Sequence, residues 1–495
     1  MKQSAHVSVS YENKIPETNL PGLGIVFVVA KTPKGSYQDP KQLINSKGQL
    51  ELYFGEESAN YPHMRYLKDI LNEGGRLRIA RILGTGYSLA SATVQKGSDD
   101  YFALTAQNPG MYYNNLEVIV SAATDGDPAH FDLRIKDTTS GQTEFYPNID
   151  PSQDVGSATG HTYLKDVEDK STLVTVTYKD LTTITGIPDL GTTSFAGGGD
   201  GGSLSISDYE NALSSFDNYE DGYYLVFPGE DDDSLTGIDS KGVTYASGRE
   251  DIIYVGNIPN SLTTSSQIKG FLNGLGITSR YTVFSGGGLK INDDNGTEQE
   301  ILSHSAATGF MAKVSANKGV WISPAGTQAG SLLTGHGVVN NFGAPNLLDD
   351  LHGITNAGGN MIVKKGGLIY IKDAYTMSQD SVDKYISVVM LDIYMRKLLV
   401  PVFESALWKQ NDQPTWEQLY YQCKPYLDDL VDQGAIRNYD YNGDQFNSDP
   451  ANWETNLPQD VANGIYKVKL WISTISPMVE IQLTISKTAD GVTIQ

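Results

Sequence analysis

The sequence has one cysteine, Cys423. An intrachain disulfide is therefore excluded, and so is a cysteine-rich zinc site. Cys423 lies in a stretch with helical periodicity, where a small buried apolar role is expected of it. Positive charge is also scarce: 36 Lys and Arg against 59 Asp and Glu leave a net charge of −23. That sign argues against nucleic acid or an anionic membrane as main partner, because both require a basic face. It favours solubility at high concentration and makes encounters between copies sensitive to salt. No uncharged apolar run reaches membrane-spanning length. The start, MKQSAHVSVSYENK, lacks the apolar core of a signal peptide. These absences predict synthesis in the cytoplasm without export by the usual secretory route.

Signatures of catalysis are missing as well. The glycine-rich run Phe195–Ser203 (FAGGGDGGS) invites a phosphate-binding reading, but a P-loop needs Lys and Ser/Thr after its last glycine. Here Ser203 and Leu204 follow Gly202, and Asp200 would repel a phosphate. Gly197, Gly198, Gly199, Asp200, Gly201 and Gly202 are read instead as a structural loop. No serine satisfies the G-x-S-x-G elbow. Ser303-His304-Ser305 puts a histidine beside two hydroxyls, but adjacent residues do not face one another in regular structure, so a structural role is expected. HExxH is absent. Asp231–Asp233 reads as a solvated acidic loop. Asp440, Asn442 and Asp444 begin like a calcium loop, but Gln445 and Ala451 stand where glycine and glutamate are needed. No catalytic, cofactor or metal residue is assigned.

Periodicity supplies the positive evidence. Leu23–Ala30 is a continuous apolar run that suits a strand covered on both faces. Short helices are expected at Gln49–Phe54 and Pro62–Asn72, and Arg76–Leu83 returns as a strand. Strand, helix, strand is the α/β signature. Between about 86 and 188 the composition turns to Thr, Ser, Asp and Gly, with strands expected at Leu116–Ser121, Phe131–Lys136 and Leu173–Tyr178, an all-β insertion on an α/β core. The alternation resumes with a helix at Asp208–Phe216 and strands at Tyr223–Pro228, Ile252–Val255 and Tyr281–Phe284. Long helices are expected at Ser381–Leu399 and Thr415–Gln433, the second with Thr415 and Gln418 as capping box. The chain closes on Gly464–Ser486, which alternates as two strands broken at Pro477. Val479, Ile481, Leu483 and Ile485 fall on one face of the last. Val7, Val9 and Tyr11 alternate similarly near the start. Such strands need a sheet, either their own domain's or that of a neighbouring copy.

The order of landmarks resembles the tail sheath proteins of contractile phage tails and related injection machines. It runs through Gly22–Gly35, Leu52-Tyr53-Phe54-Gly55, Ala80-Arg81-Ile82, Asn108-Pro109-Gly110 and the glycine loop with Asp208-Tyr209 behind it. It continues through Ala306–Gly309, Gly319–Gly326, Leu351–Thr355, Phe403-Glu404 and Leu407-Trp408. Thr355 departs from the family's usual Asn, and Ile362–Lys372 matches weakly. The resemblance implies a mixed α/β, multi-domain protomer: an N-terminal arm (1–20), an N-terminal part of the core (21–85), an inserted β-rich outer domain (86–190), a subtilisin-like sheath domain without implied protease activity (191–376), a C-terminal sheath domain (377–476) and a C-terminal strand arm (477–495). It implies stacked hexameric rings that polymerise around a tail tube protein and contract without a cofactor to drive the tube through an envelope. Baseplate and tail terminator proteins would be the other partners, and arms would add strands to neighbouring copies. Lys384, Arg396, Lys397 and Lys409 are the basic residues expected to face an acidic tube, or else solvated helix faces. An injection-system sheath and, less readily, a surface adhesin are the alternatives.

Overall fold

The computed structural model describes residues 22–151, 163–178, 186–292, 296–441 and 458–479. Its centre is an eight-stranded sheet. In spatial order the strands are Leu368–Ile371, Gly359–Lys365, Thr282–Gly286, Ile253–Asn257, Tyr224–Val226, Ile25–Ala30, Arg76–Arg81 and Leu43–Ile44. All but the two edge strands run parallel. The run Ile25–Ala30 is buried throughout because its alternate residues enter two different cores. Val26, Val28 and Ala30 meet the helices His63–Glu73, His304–Lys318 and Ile386–Glu404 on one face. Ile25, Phe27 and Val29 meet Ile206–Leu213 and Ile238–Arg249 on the other. A strand covered on both faces has no polar side to show, which is why its sequence does not alternate.

Both edges of this sheet are blunted. Leu43–Ile44 is only two residues long. Along Leu368–Ile371 the segment 326–332 lies as a strap: Leu332 N donates to Ile369 O at 2.8 Å and Gly326 N to Ile371 O at 2.8 Å. Ser331 Oγ accepts from Ile369 N at 3.2 Å. The Glu73 carboxylate fastens the strap by accepting from Leu333 N and Thr334 N, at 2.7 and 2.5 Å. A covered edge cannot recruit a stray strand.

The insertion has its own core, running from Ala90 to Phe195. One antiparallel sheet orders Gly191–Ser194, Leu116–Ala122, Phe131–Asp137 and Thr143–Ile149; the other orders Ser91–Lys96, Asp99–Ala106 and Val174–Tyr178. Gly191–Ser194, placed by the sequence in the following domain, pairs with Leu116–Ala122 and so closes the insertion. Its polar sequence gives no sign of that partner.

Several element ends differ from expectation, each through a local cap. The first long helix spans Ile386–Glu404, because the Asp380 carboxylate accepts from Val382 N at 2.7 Å and Asp383 N at 3.1 Å and holds 381–385 in a turn. The second spans Gln413–Asp432; Asp412, rather than Thr415, is its N-cap, and Pro414 fits the first turn. The early helix begins at Lys47, capped by Ser46. Near the end of the chain, the strand is Leu470–Thr474. Tyr466 is diverted to stack on Trp416, centroids 5.2 Å apart. The run from Glu480 to Ile485 and the arm bearing Val7, Val9 and Tyr11 lie outside the described residues.

Candidate functional site: the chain crossing and the C-terminal sheet

The glycine loop sits where the chain leaves the core for the insertion and returns. Three of its amides hold it to the outgoing chain: Gly198 N donates to Asn114 Oδ1 at 2.8 Å, Gly199 N to Ser88 O at 3.2 Å and Gly202 N to Thr85 O at 3.1 Å. Gly84 N donates to Asp200 O at 3.0 Å. The two crossings touch backbone to backbone, so a Cβ on Gly201 (φ 74°) would sit 1.9 Å from Gly84 O. Asp200 is buried and accepts from Tyr61 Oη at 2.6 Å and Met111 N at 2.8 Å. Beside it, fully buried Arg81 donates to Thr32 O, Pro109 O and Pro33 O at 3.0, 2.7 and 3.1 Å. Burial pulls the guanidinium pKa down, and the neighbouring Tyr113 and Asp200 oppose that shift. Gly110 (φ 127°) is forced by this node, since its Cβ would lie 2.6 Å from Arg81 Nη2. The loop is thus a clamp between the core and the insertion.

Open α/β sheets hold ligands at the carboxyl ends of their parallel strands. Here that edge is filled by the chain's own buried side chains. His63 Nδ1 accepts from Lys31 N at 2.9 Å, so Nε2 carries the proton and donates to Glu230 Oε1 at 3.1 Å. Tyr209 and Ser234 also donate to Glu230, at 3.0 and 2.7 Å. Burial would raise the Glu230 pKa, but the bonds from His63 and Ser234 prevail and hold it below the usual carboxylate range. His304 Nε2 donates to Phe227 O at 2.9 Å, and both His304 and Ser305 are buried beyond reach of a substrate. Asp231, expected in a solvated loop, is buried and accepts from Asn257 Nδ2 at 3.2 Å. Its partner comes from a strand 26 residues away, which local composition does not reveal.

The four basic candidates do not share one environment. Lys397 has a side chain only 6% exposed. Its Nζ donates to Glu220 O, Gly222 O and Asp251 Oδ2 at 2.6, 2.9 and 2.9 Å, docking the helix Ile386–Glu404 onto the sheet. Burial lowers its pKa and Asp251 opposes that. It is therefore no surface cation, contrary to expectation: a long stem lets a lysine on the helix flank reach carbonyls that helical periodicity cannot show. Arg396 is half-exposed and pairs with Glu250 at 3.1 Å. Lys384 Nζ lies 5.1 Å from the Tyr385 ring centroid. Lys409 is exposed next to Trp408, whose indole is fully exposed on a backbone of φ 69°.

The strands Ile436–Tyr441 and Leu470–Thr474 form a two-stranded antiparallel sheet with no further strand beside either among the described residues. Its inner face packs on Cys423, Leu427 and Leu399. Burial pushes the Cys423 thiol up to about 12, which leaves it a packing group. The outer side shows Trp471 at 52% exposure, and the chain continues through exposed Ile475, Met478 and Val479. The sequence pattern marks the strand; that it is left with one neighbour emerges only from the topology. Among the described residues no helix is long and apolar enough to cross a membrane.

An α/β core, a β insertion projecting from a glycine clamp, and a terminal helical pair carrying a two-stranded sheet define a multi-domain α/β protein. That arrangement is the fold of sheath tail proteins. The chain superposes on the sheath tail protein of Listeria innocua with a TM-score of 0.60 at 16% identity, over 84% of this chain and 86% of that one. On the sheath tail protein of Desulfitobacterium hafniense the TM-score is 0.55 at 16% identity, over 88% and 91%. On the helical sheath of the anti-feeding prophage in its contracted state it is 0.55 at 11% identity, over 99% and 100%. No protein-family model matches the sequence, and a search of curated proteins finds no match.

Proposed function

We propose that the chain is the structural subunit of a contractile tail sheath, polymerising as stacked hexameric rings around a tail tube and contracting to drive that tube through an envelope. The observation that carries this reading is the C-terminal two-stranded sheet. Two strands alone are marginal in water, and three or more give independent stability. Each open edge offers a row of backbone donors and acceptors to an extended segment. The terminal segments with Val7, Val9, Tyr11, Val479, Ile481, Leu483 and Ile485 have the alternation to supply one. A strand taken from a neighbour links copies head to tail, and such links propagate into an open array. Contraction then exchanges one set of subunit contacts for another, so the free energy comes from the array and no cofactor or catalytic residue is assigned. Lys384, Arg396 and Lys409 remain the candidate contacts to a tube, with baseplate and terminator proteins at the ends.

The likeness to the anti-feeding prophage sheath equally supports a sheath of a phage-derived injection system. Deleting residues 1–11 or 478–495 tests the arm reading: each truncation is expected to yield folded monomers unable to form tubes. Tubes from either truncation would refute it.

A further inference from the structure

A groove of about 760 Å³ opens between the strap, the hairpin end at Lys372–Tyr375 and the outgoing chain at Pro477–Val479. Its walls include Ile322, Tyr375, Tyr385 and Met478, with Lys318 and Lys372 at the rim. The Tyr375 and Tyr385 rings lie 5.5 Å apart and form an aromatic wall. The charge is opposite in sign to that of the chain as a whole. Lys318 donates only to carbonyls, Gln328 O at 2.7 Å and Ala329 O at 3.1 Å. Lys384 stands beside Tyr385 with a ring, not a carboxylate, beneath its ammonium. Asp373 is the one carboxylate lining the groove among the described residues. It sits 3.8 Å from Lys372 and accepts from Thr355 Oγ1 at 2.8 Å.

We infer that this groove receives an acidic surface segment of a second copy of this chain. Among the described residues Lys318, in the lining, and Lys384, beside the lining residue Tyr385, have no carboxylate partner, whereas Lys372 is paired with Asp373. Two such cations around a partly apolar, aromatic floor favour an occupant that brings negative charge together with apolar side chains. A chain of this charge presents acidic segments to every neighbour it meets, and an acid–base contact at the groove lowers the repulsion that copies otherwise feel. The inference uses the self-assembly proposed above for its occupant, and adds the surface at which a neighbour docks.

The test mixes isotopically heavy and light full-length protein, with p-benzoylphenylalanine in place of Tyr375, and irradiates it after concentration in 50 mM and 500 mM NaCl. Heavy–light cross-links from position 375 to acidic segments are expected at low salt and should weaken at high salt. The double variant Lys318→Glu, Lys384→Glu should raise the critical concentration for assembly about tenfold at low salt, and match the parent at high salt. Because Lys318 also holds the strap, Lys384→Glu alone is the control that breaks no hydrogen bond; it should shift the same way by a smaller factor. Tubes that form without heavy–light cross-links at 375 would overturn this inference and leave the sheath reading standing. A chain that never self-associates would overturn both.

Discussion

Replacing Gly201 by alanine tests the clamp between core and insertion. The new Cβ would stand 1.9 Å from Gly84 O and 2.5 Å from Gly84 C, inside the 3.0 Å that real Cβ atoms keep. Both atoms are backbone, so no rotamer relieves the clash. The crossings must separate, which strains Gly84 N to Asp200 O and Ser88 N to Gly199 O, both 3.0 Å. Losing two such bonds costs about 2 kcal/mol, and an alanine at φ 74° adds about 1 kcal/mol. The expected destabilisation is therefore about 3 kcal/mol. Gly202→Ala is the control one residue away: its nearest foreign atom would be 3.8 Å from the Cβ and its φ is not positive, so it should cost under about 1 kcal/mol. Urea unfolding followed by tryptophan fluorescence and by far-ultraviolet circular dichroism measures both. Equal midpoints for the two variants would refute the idea that the loop is held by backbone approach.

Other sites give independent checks. Arg81→Met should cost about 3–5 kcal/mol, because Asp200 stays buried beside carbonyls that have lost their donor; a midpoint shift no larger than that of an exposed lysine would contradict this. Lys397→Ala should lower the thermal midpoint and loosen the helix Ile386–Glu404, read as faster amide exchange along it, whereas Lys409→Ala should do neither. Burial, partly opposed by Arg65 and reinforced by Glu73, raises the Asp69 pKa to about 7 from 3.8. A raised carboxyl pKa contributes stability at low pH that is lost as pH rises through the folded value. Stability should thus fall between about pH 4 and 7 by up to ~1.4 kcal/mol per unit, and Asp69→Asn should flatten that slope. Trp408→Gly should leave the protomer equally or up to about 1 kcal/mol more stable, since it relieves a left-handed backbone and removes no buried contact; a marked loss would show that the indole packs internally.

Where one property decided the outcome, the sequence was readable. Leu23–Ala30 is apolar without alternation because both faces are covered, and that alone places it in the sheet interior. The insertion betrays itself by composition and by turn residues, and its separate core follows. Pairings across long separations were not readable. His63 meets Glu230 across 167 residues and Glu73 meets Thr334 across 261; neither leaves a local pattern. Lys397 looked like its neighbours on the helix flank because periodicity records direction and not reach. The glycine run is visible in the sequence, but the clamp required seeing Gly84 and Gly201 face each other.

The most direct test of the central claim is electron microscopy of the purified full-length protein, concentrated alone and in the presence of its cognate tube. Hollow striated tubes, with density for a third strand alongside Ile436–Tyr441 or Leu470–Thr474, are the predicted result. Monodisperse monomers under both conditions, with the two-stranded sheet unaccompanied, would contradict it.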